Sequence, residues 1–514
     1  MMSVGTVYSA ALQGLEVKFV QVEADLSTGL PMFHMVGYLA AEVKEAGERV
    51  RTAIRNSGIT FPPKRTVINL SPGNIRKRGS SFDLAIALSI LVSLGEIPIS
   101  VLESAVVVGE LGLDGSIRQV AGVLPIVWEA REQGMKMCLI PVENREEAAL
   151  VDGIRIYAFR TLRELWETLS GGIVPQKSRR SKITAERTEK ESSLDFADVK
   201  GQKGVKRAAE IAVSGGHNLL MIGPPGSGKS MIASRVSTIL PPLTEKESIE
   251  LTKIYSVQGL LQNEFPLITK RPFREVHHTV TKAALIGGGQ YPVPGEITMA
   301  DKGVLFLDEL TEFARPVLEV LRQPLEEKRI RLVRKQGVYI FPADFMLVAA
   351  MNPCPCGYYP DLSRCSCTSG QIQQYLGKIS QPLLSRIDLC IDSPGLDYGT
   401  LKSSSKEESS AEIRARVCEA RERQRRRYKE EDFLVNALIP ASRISLYCSL
   451  GAEEERVIKE AFTRIGLTAR TYHKTLKVAR TIADLAGQEK IGVRHLREAI
   501  AYRMPDQRYW GNLK

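Results

Sequence analysis

Eight residues near the middle of the chain carry the parts of a phosphate cradle: Gly223-Pro224-Pro225-Gly226-Ser227-Gly228-Lys229-Ser230. Glycines let a backbone curl until successive N–H groups face an anion, and a helix starting at the loop's end adds a favourable dipole. Lys229 would reach the outer phosphates of a nucleoside triphosphate as a point charge, and the Ser230 hydroxyl would ligate Mg²⁺. The spacing G-x-x-x-x-G-K-S is specific only between a strand and a helix. Leu219-Leu220-Met221-Ile222 before it and Met231-Ile232-Ala233 after it supply both.

Further along, Val304-Leu305-Phe306-Leu307 runs into Asp308-Glu309. A buried parallel strand reads as a continuous apolar run, and ligand sites lie at its carboxyl end. Asp308 is placed there to hold Mg²⁺ and Glu309 to polarise an attacking water, as phosphoryl transfer to water requires. An acidic turn is the plainer alternative. A third apolar run, 343–351, ends at Asn352-Pro353, where Asn352 could orient water near the terminal phosphate. Gln381-Pro382-Leu383-Leu384-Ser385-Arg386 closes a helix with a planar, permanently charged fork suited to phosphate. Alone, Arg386 would be a surface salt bridge; the order of the motifs around it favours a finger acting on a neighbouring subunit.

Four of the eight cysteines fall in one short stretch, Cys354-Pro355-Cys356 and Cys365-Ser366-Cys367. They offer four thiolates, enough for tetrahedral Zn²⁺, although the one-residue spacing is tighter than the usual C-x₂₋₄-C. Free thiols and a redox pair are the alternatives. His277-His278 has no third ligand nearby in sequence and reads as a structural or pore-loop pair. Ser81, in Arg78-Gly79-Ser80-Ser81-Phe82-Asp83, stands where a loop enters a helix, so a nucleophile is weighed against a helix cap. Arg414, Arg416, Arg421, Arg423, Arg425, Arg426 and Arg427 alternate with Glu412, Glu419 and Glu422. A solvated helix face is the default there, and a contact to a nucleic-acid backbone the sharper alternative.

The elements that must position these groups follow from periodicity. Residues 1–172 mix short strands with helices over 40–56, 82–94 and 121–133, an α+β domain. Residues 173–193, with Arg179 and Arg180, lack apolar periodicity and read as a linker. Residues 194–395 form a parallel α/β domain around the glycine loop, interrupted by the cysteine-rich insert 354–367. A serine- and charge-rich linker, 396–410, leads to a helical region, 411–514, with helices over 411–430, 440–449, 452–465, 468–486 and 490–503. The whole is a multidomain α/β chain. Its 514 residues are 43% hydrophobic and 25% charged, with a formal net charge of +11. That balance points weakly to an anionic partner, nucleic acid before membrane. The start of the chain lacks a charged n-region and an apolar h-region, and the apolar run Leu84 to Leu94 is too short to span a bilayer. With no disulfide framework in the cysteine spacing, the expected compartment is the cytoplasm.

In order, these motifs resemble the AAA+ ATPases, in which nucleotide binds between neighbouring subunits. The resemblance narrows at Arg271-Pro272-Phe273-Arg274-Glu275-Val276-His277-His278, Leu285-Ile286-Gly287-Gly288-Gly289 and Pro292-Val293-Pro294-Gly295-Glu296-Ile297. These look like the magnesium-chelatase-like ATPases. Gly109-Glu110-Leu111-Gly112-Leu113-Asp114-Gly115, with Leu139-Ile140-Pro141-Val142-Glu143-Asn144, resembles the proteolytic domain of Lon-type proteases. Together they point to the ComM/YifB branch. Lon-type enzymes cut peptides with a Ser–Lys dyad. The serine falls at Ser81, but the lysine position holds Leu124, so the domain is expected to be proteolytically inert and Ser81 to cap its helix. Within Leu467-Thr468-Ala469-Arg470-Thr471-Tyr472-His473-Lys474, the resemblance implies that Arg470 senses the γ-phosphate. Val276 replaces the family's proline, and Ser380-Gln381-Pro382-Leu383-Leu384-Ser385-Arg386 replaces Ser-Gly-Pro-Leu-Leu-Asp-Arg; neither change removes a catalytic side chain. The resemblance further implies ATP and Mg²⁺ as cofactors, a hexameric ring, and a motor acting on DNA by branch migration. A chelatase-type subunit remodelling a protein, an ATP-dependent protease (disfavoured by Leu124) and a nucleotide-gated assembly factor are the competing expectations.

Overall fold

The computed structural model describes residues 4–171, 194–262, 265–395, 398–399 and 407–511, which fall into two compact units. The first takes the described residues of 1–185 with 245–269 and 334–339; the second takes those of 186–244, 270–333 and 340–514. The expected linker 173–193, with Arg179 and Arg180, lies outside the described residues.

The first unit is built on a seven-stranded mixed sheet. Its strands are β1 (Gly5–Gln13), β2 (Glu16–Ser27), β3 (Met32–Val36), β4 (Arg65–Ser71), β5 (Ala105–Val107), β6 (Met137–Pro141) and β7 (Arg155–Phe159). Their order is β3-β4-β2-β1-β5-β6-β7, antiparallel for β1–β2 and β2–β4 and parallel elsewhere. The expected helices appear as Ala41–Lys44 with Ala46–Asn56, then Asp83–Ser93, then Val123–Glu132. Helix Asp83–Ser93 is apolar on nearly every side, and a helix of that kind must be buried all round. It lies so close to β1 that a Cβ on Gly5 would fall 2.0 Å from the Ser89 carbonyl oxygen. At its start, burial pushes the Asp83 carboxyl up, opposed by Arg49, which donates to both carboxylate oxygens at 2.9 and 3.0 Å. Helix Glu245–Val257 completes this unit: Lys253 Nζ sits 3.7 Å from the Trp128 ring centre, and the Ser256 carbonyl accepts from Gly122 N at 3.0 Å.

The second unit is organised by a five-stranded parallel sheet of β8 (Leu219–Ile222), β9 (Phe273–Val276), β10 (Val304–Leu307), β11 (Met346–Met351) and β12 (Leu389–Asp392). The order is β9-β10-β11-β8-β12, so β8, first in the chain, lies between two strands that come much later. Every residue of β8, β10 and β11 is buried, as expected of a parallel sheet covered on both faces. Helix Lys203–Gly215 packs beneath it and against helices Ser410–Arg427 and Ala469–Leu485, so the sheet and the C-terminal helices share one apolar core.

Of the expected linker 396–410, the described end is anchored. Glu407 accepts from Gly201 N at 2.9 Å and from Lys206 Nζ at 2.8 Å, and Ser409 caps the helix that starts at Ser410, with Glu412 completing a capping box. The described residues of that run, 407–410, lead into a helix start, because Ser409 and Glu412, three residues apart, satisfy the orphan N–H groups there. Among the described residues, no helix is long and apolar enough to cross a membrane.

Candidate active site

The glycine loop joins β8 to helix Lys229–Val236, and its three glycines are required for two different reasons. Gly226 and Gly228 sit at φ +74° and +83°, left-handed backbone with nothing near a notional Cβ. Gly223 is needed for space, since a Cβ there would lie 2.0 Å from the Ser393 carbonyl oxygen just beyond β12. Lys229 Nζ donates to the Gly223 and Pro224 carbonyls at 2.8 and 2.9 Å and to Asn352 Oδ1 at 3.3 Å. Burial pushes its pKa down, against the pull of Asp308 and Glu309. Pro225, Gly226, Ser227, Gly228, Lys229, Ser230, Asp308, Glu309 and Asn352 line one cavity of about 380 Å³.

Parallel topology explains the convergence: β8, β10 and β11 run the same way, so the residues following each emerge at one edge. Ser230 Oγ donates to Asp308 Oδ2 at 2.5 Å, which brings together two oxygens of the kind Mg²⁺ takes. Glu309 follows with φ +50°, a left-handed turn that a non-glycine residue adopts at a cost, and its side chain is exposed to the cavity mouth. His278 Nδ1 lies 3.7 Å from Glu309 Oε2 and its ring meets His277 at 4.1 Å, so the pair neighbours the carboxylate. Gln202, which sequence patterning did not single out, is buried at φ +53° and donates to the Ser227 and Pro394 carbonyls at 3.0 and 2.7 Å. Its Oε1 is buried without a partner among the described residues.

Arg386 and Arg470 do not line this cavity. Both converge instead on Glu326, a second residue without a sequence signal. Arg386 reaches Glu326 Oε1 at 2.7 Å and donates to the Arg322 and Pro382 carbonyls at 3.2 and 2.5 Å; Arg470 pairs with the same Glu326 oxygen and donates to Ser385 Oγ at 3.3 Å. Burial pushes the Glu326 carboxyl up, but the two guanidiniums overcome it and hold the pKa below its ordinary value. The cluster surfaces through Arg470, whose side chain is 49% exposed, while that of Arg386 is 9% exposed.

Family comparison agrees along the chain. Residues 195–401 match the magnesium chelatase subunit ChlI domain, 22–144 a further subunit ChlI region of Mg-chelatase, and 407–503 the ChlI C-terminal domain. The competence protein ComM of Haemophilus influenzae is 41% identical over 506 residues, covering 98% of each chain. YifB of Escherichia coli is 38% identical over 509 residues, again 98% of each. The chain belongs to the ComM/YifB family of magnesium-chelatase-like proteins. These are AAA+ ATPases by family, and the strand order and phosphate loop described above are those of this chain's second unit. Lon protease 2 of Bacillus subtilis is 32% identical over 127 residues, 24% of this chain and 22% of that one.

In the Lon-like part of this ComM/YifB chain, Leu124 is fully buried, its side chain packed in an apolar core, and its backbone N–H donates to Glu147 Oε1 at 2.8 Å. Ser81 does not cap its helix: the cap position is Phe82, without a side-chain bond, and Ser81 contributes its carbonyl to Gly109 N at 3.0 Å. The cap fails because the helix enters its core directly, with Phe82 buried at the boundary. The arginine-rich helix is largely consumed internally. Arg416 pairs with Glu210 and Glu408, Arg421 and Arg423 donate to the Val213 and Asp484 carbonyls, and Arg427 binds Asp484; Arg425 and Arg426 face outward with Glu422. The four cysteines meet, with all their sulfurs within 4.8 Å of one another, a group that could hold a metal ion.

Proposed function

We propose that this chain hydrolyses ATP in the cytoplasm as a ring, a hexamer, and uses the energy as a DNA-acting motor of the branch-migration kind in DNA uptake and recombination. The observation that carries the ATPase reading is the meeting of Lys229, Ser230, Asp308, Glu309 and Asn352 in one cavity. The loop N–H groups and Lys229 hold the phosphates, with Ser230 and Asp308 on Mg²⁺. Bound there, Mg²⁺ neutralises charge on the phosphate oxygens and orients them. Glu309 accepts a hydrogen bond from the attacking water and aligns it, and Asn352 fixes the same water or the terminal phosphate. Arg386 and Arg470 lie away from their own cavity, which supports a role for both at the adjoining protomer's site. The four thiolates of Cys354, Cys356, Cys365 and Cys367 take a structural Zn²⁺. With Leu124 at the dyad lysine, the Lon-like unit has no peptidase base and serves as a non-proteolytic attachment.

DNA as substrate is supported by the net charge of +11 and by the competence protein among its relatives. The deciding experiment measures ATPase rate with single-stranded, duplex and branched DNA. Stimulation, greatest with branched DNA, is expected; a rate indifferent to all three refutes the DNA motor. The magnesium chelatase match favours one competitor, a motor subunit remodelling a protein, which would leave the rate flat with DNA and raise it with that partner.

A further inference from the structure

The cysteine knuckle is built onto the phosphate loop. Cys354 Sγ lies 3.3 Å from Cys356 Sγ and 3.8 Å from Cys365 Sγ, and Cys356 and Cys365 are 3.5 Å apart. Four thiolates at Zn–S bond length around one zinc stand about 3.8 Å apart, so the set fits that ion. Gly357 N and Tyr359 N donate to Cys354 Sγ at 3.2 and 3.4 Å, the outer hydrogen bonds that orient a ligating sulfur.

Two points tie this knuckle to the nucleotide cavity. Cys354 follows Asn352 by two residues, at the end of β11, and Asn352 receives Lys229. Gly357, at φ +87°, presses on Pro225: a Cβ there would lie 2.4 Å from Pro225 Cδ, and Pro225 lines the cavity. Local contacts shape the loop between the two cysteine pairs: Arg364 lies 4.1 Å from the Tyr358 ring centre, Asp361 accepts from Ser363 N at 3.0 Å, and Cys354 is fully buried. Cys356, Cys365 and Cys367 are only partly buried, and Leu362 is exposed.

We propose that zinc at Cys354, Cys356, Cys365 and Cys367 sets nucleotide affinity, by fixing the Gly357–Pro225 contact on one side of the phosphate loop and Asn352 on the other. This rests on the zinc assignment made above and adds its coupling to the ATP site. Losing the ion frees both supports, and displaced positioning groups weaken binding on the order of tenfold or more.

The test uses the full chain, plasma mass spectrometry for zinc, and a fluorescent ATP analogue for binding. Expected are one zinc per chain, and at least a tenfold weaker Kd after chelation of zinc or in the Cys356→Ser/Cys367→Ser variant. Gly357→Ala retains all four cysteine sulfurs and its zinc yet weakens binding comparably, since its methyl would meet Pro225 Cδ and displace the loop. Should the double variant fail to fold, the chelated wild-type chain and Gly357→Ala give the same readings. A zinc-free chain with unchanged Kd overturns the coupling and leaves the zinc assignment standing. Purified wild-type chain without zinc, unaffected by added Zn²⁺, overturns both.

Discussion

Replacing Arg386 with alanine is the sharpest test of shared active sites. An arginine completing a phosphoryl-transfer site contributes about 10³-fold or more to turnover, or about 4 kcal/mol. The same substitution removes the Arg386 bonds to the Arg322 and Pro382 carbonyls and its pairing with Glu326. Leaving such buried acceptors unpaired costs the fold about 1–3 kcal/mol, so lost activity alone would be ambiguous. Arg470→Ala separates the two effects. Its half-exposed pairing with Glu326 is worth no more than about 1 kcal/mol, so the thermal midpoint should hold while turnover falls.

Mixing then reads the geometry. In a ring, a working interface needs an intact Lys229 on one protomer and an intact Arg386 on its neighbour. A random equal mixture of Lys229→Ala and Arg386→Ala chains creates such interfaces at about one in four positions. ATPase should therefore climb from near zero for each variant alone to about a quarter of wild type, less if sites fire in concert. The assay is steady-state phosphate release, with co-assembly checked by light scattering. Absence of recovery in co-assembled mixtures would falsify the shared site. So would an Arg386→Ala chain that hydrolyses at the wild-type rate.

Glu309→Gln should bind the fluorescent ATP analogue normally yet lose at least about 10²-fold in turnover, since the amide cannot accept the water's proton; retained turnover removes Glu309 from that role. Gly226→Ala should lower the thermal midpoint only by the equivalent of the roughly 1–2 kcal/mol cost of left-handed backbone, since nothing lies near the added methyl, and should weaken ATP binding to the extent that the loop relaxes out of that conformation. Gly223→Ala should lower both further, since its methyl meets the Ser393 carbonyl; equal behaviour of the two variants contradicts the division of roles. At Asp388, burial alone would raise the pKa, but the Lys474 ammonium at 2.6 Å and a bond from Asn218 N hold it at about 2. Its folded pKa lies below the ordinary 3.8, so the stability it contributes is fully present above about pH 4 and is lost as pH falls toward 2. Lys474→Ala leaves that carboxylate buried and unpaired, costing about 3–5 kcal/mol, a drop that urea unfolding at neutral pH should register.

What could be read from the residues alone follows from how local each signal is. The phosphate loop was legible because its chemistry is contiguous, and Asp308 and Asn352 because each closes an apolar run whose type needs no partner to recognise. Strand order was not, because nothing in Leu219–Ile222 says that its neighbours lie at 346–351 and 389–392. The same limit hid Glu326, Gln202 and Ser393, whose roles arise from contacts across long loops of chain. It also hid Glu210 and Asp484, far away in sequence, which take Arg416 and Arg427, while the expected local partners Glu419 and Glu422 pair with Arg423, Arg425 and Arg426. Helix Glu245–Val257 shows the limit most plainly. Its buried residues Leu251 and Ile254 announce an apolar face, but not that the face belongs with Trp128 and Gly122 of the first unit. Amphipathic pattern states that a surface must be covered; only tertiary contact states by what. The same division separates the two sets of side chains: the cavity groups fixed within one stretch are evident from that stretch, whereas the cluster of Arg386, Arg470 and Glu326, outside that cavity, exists only once the chain has folded.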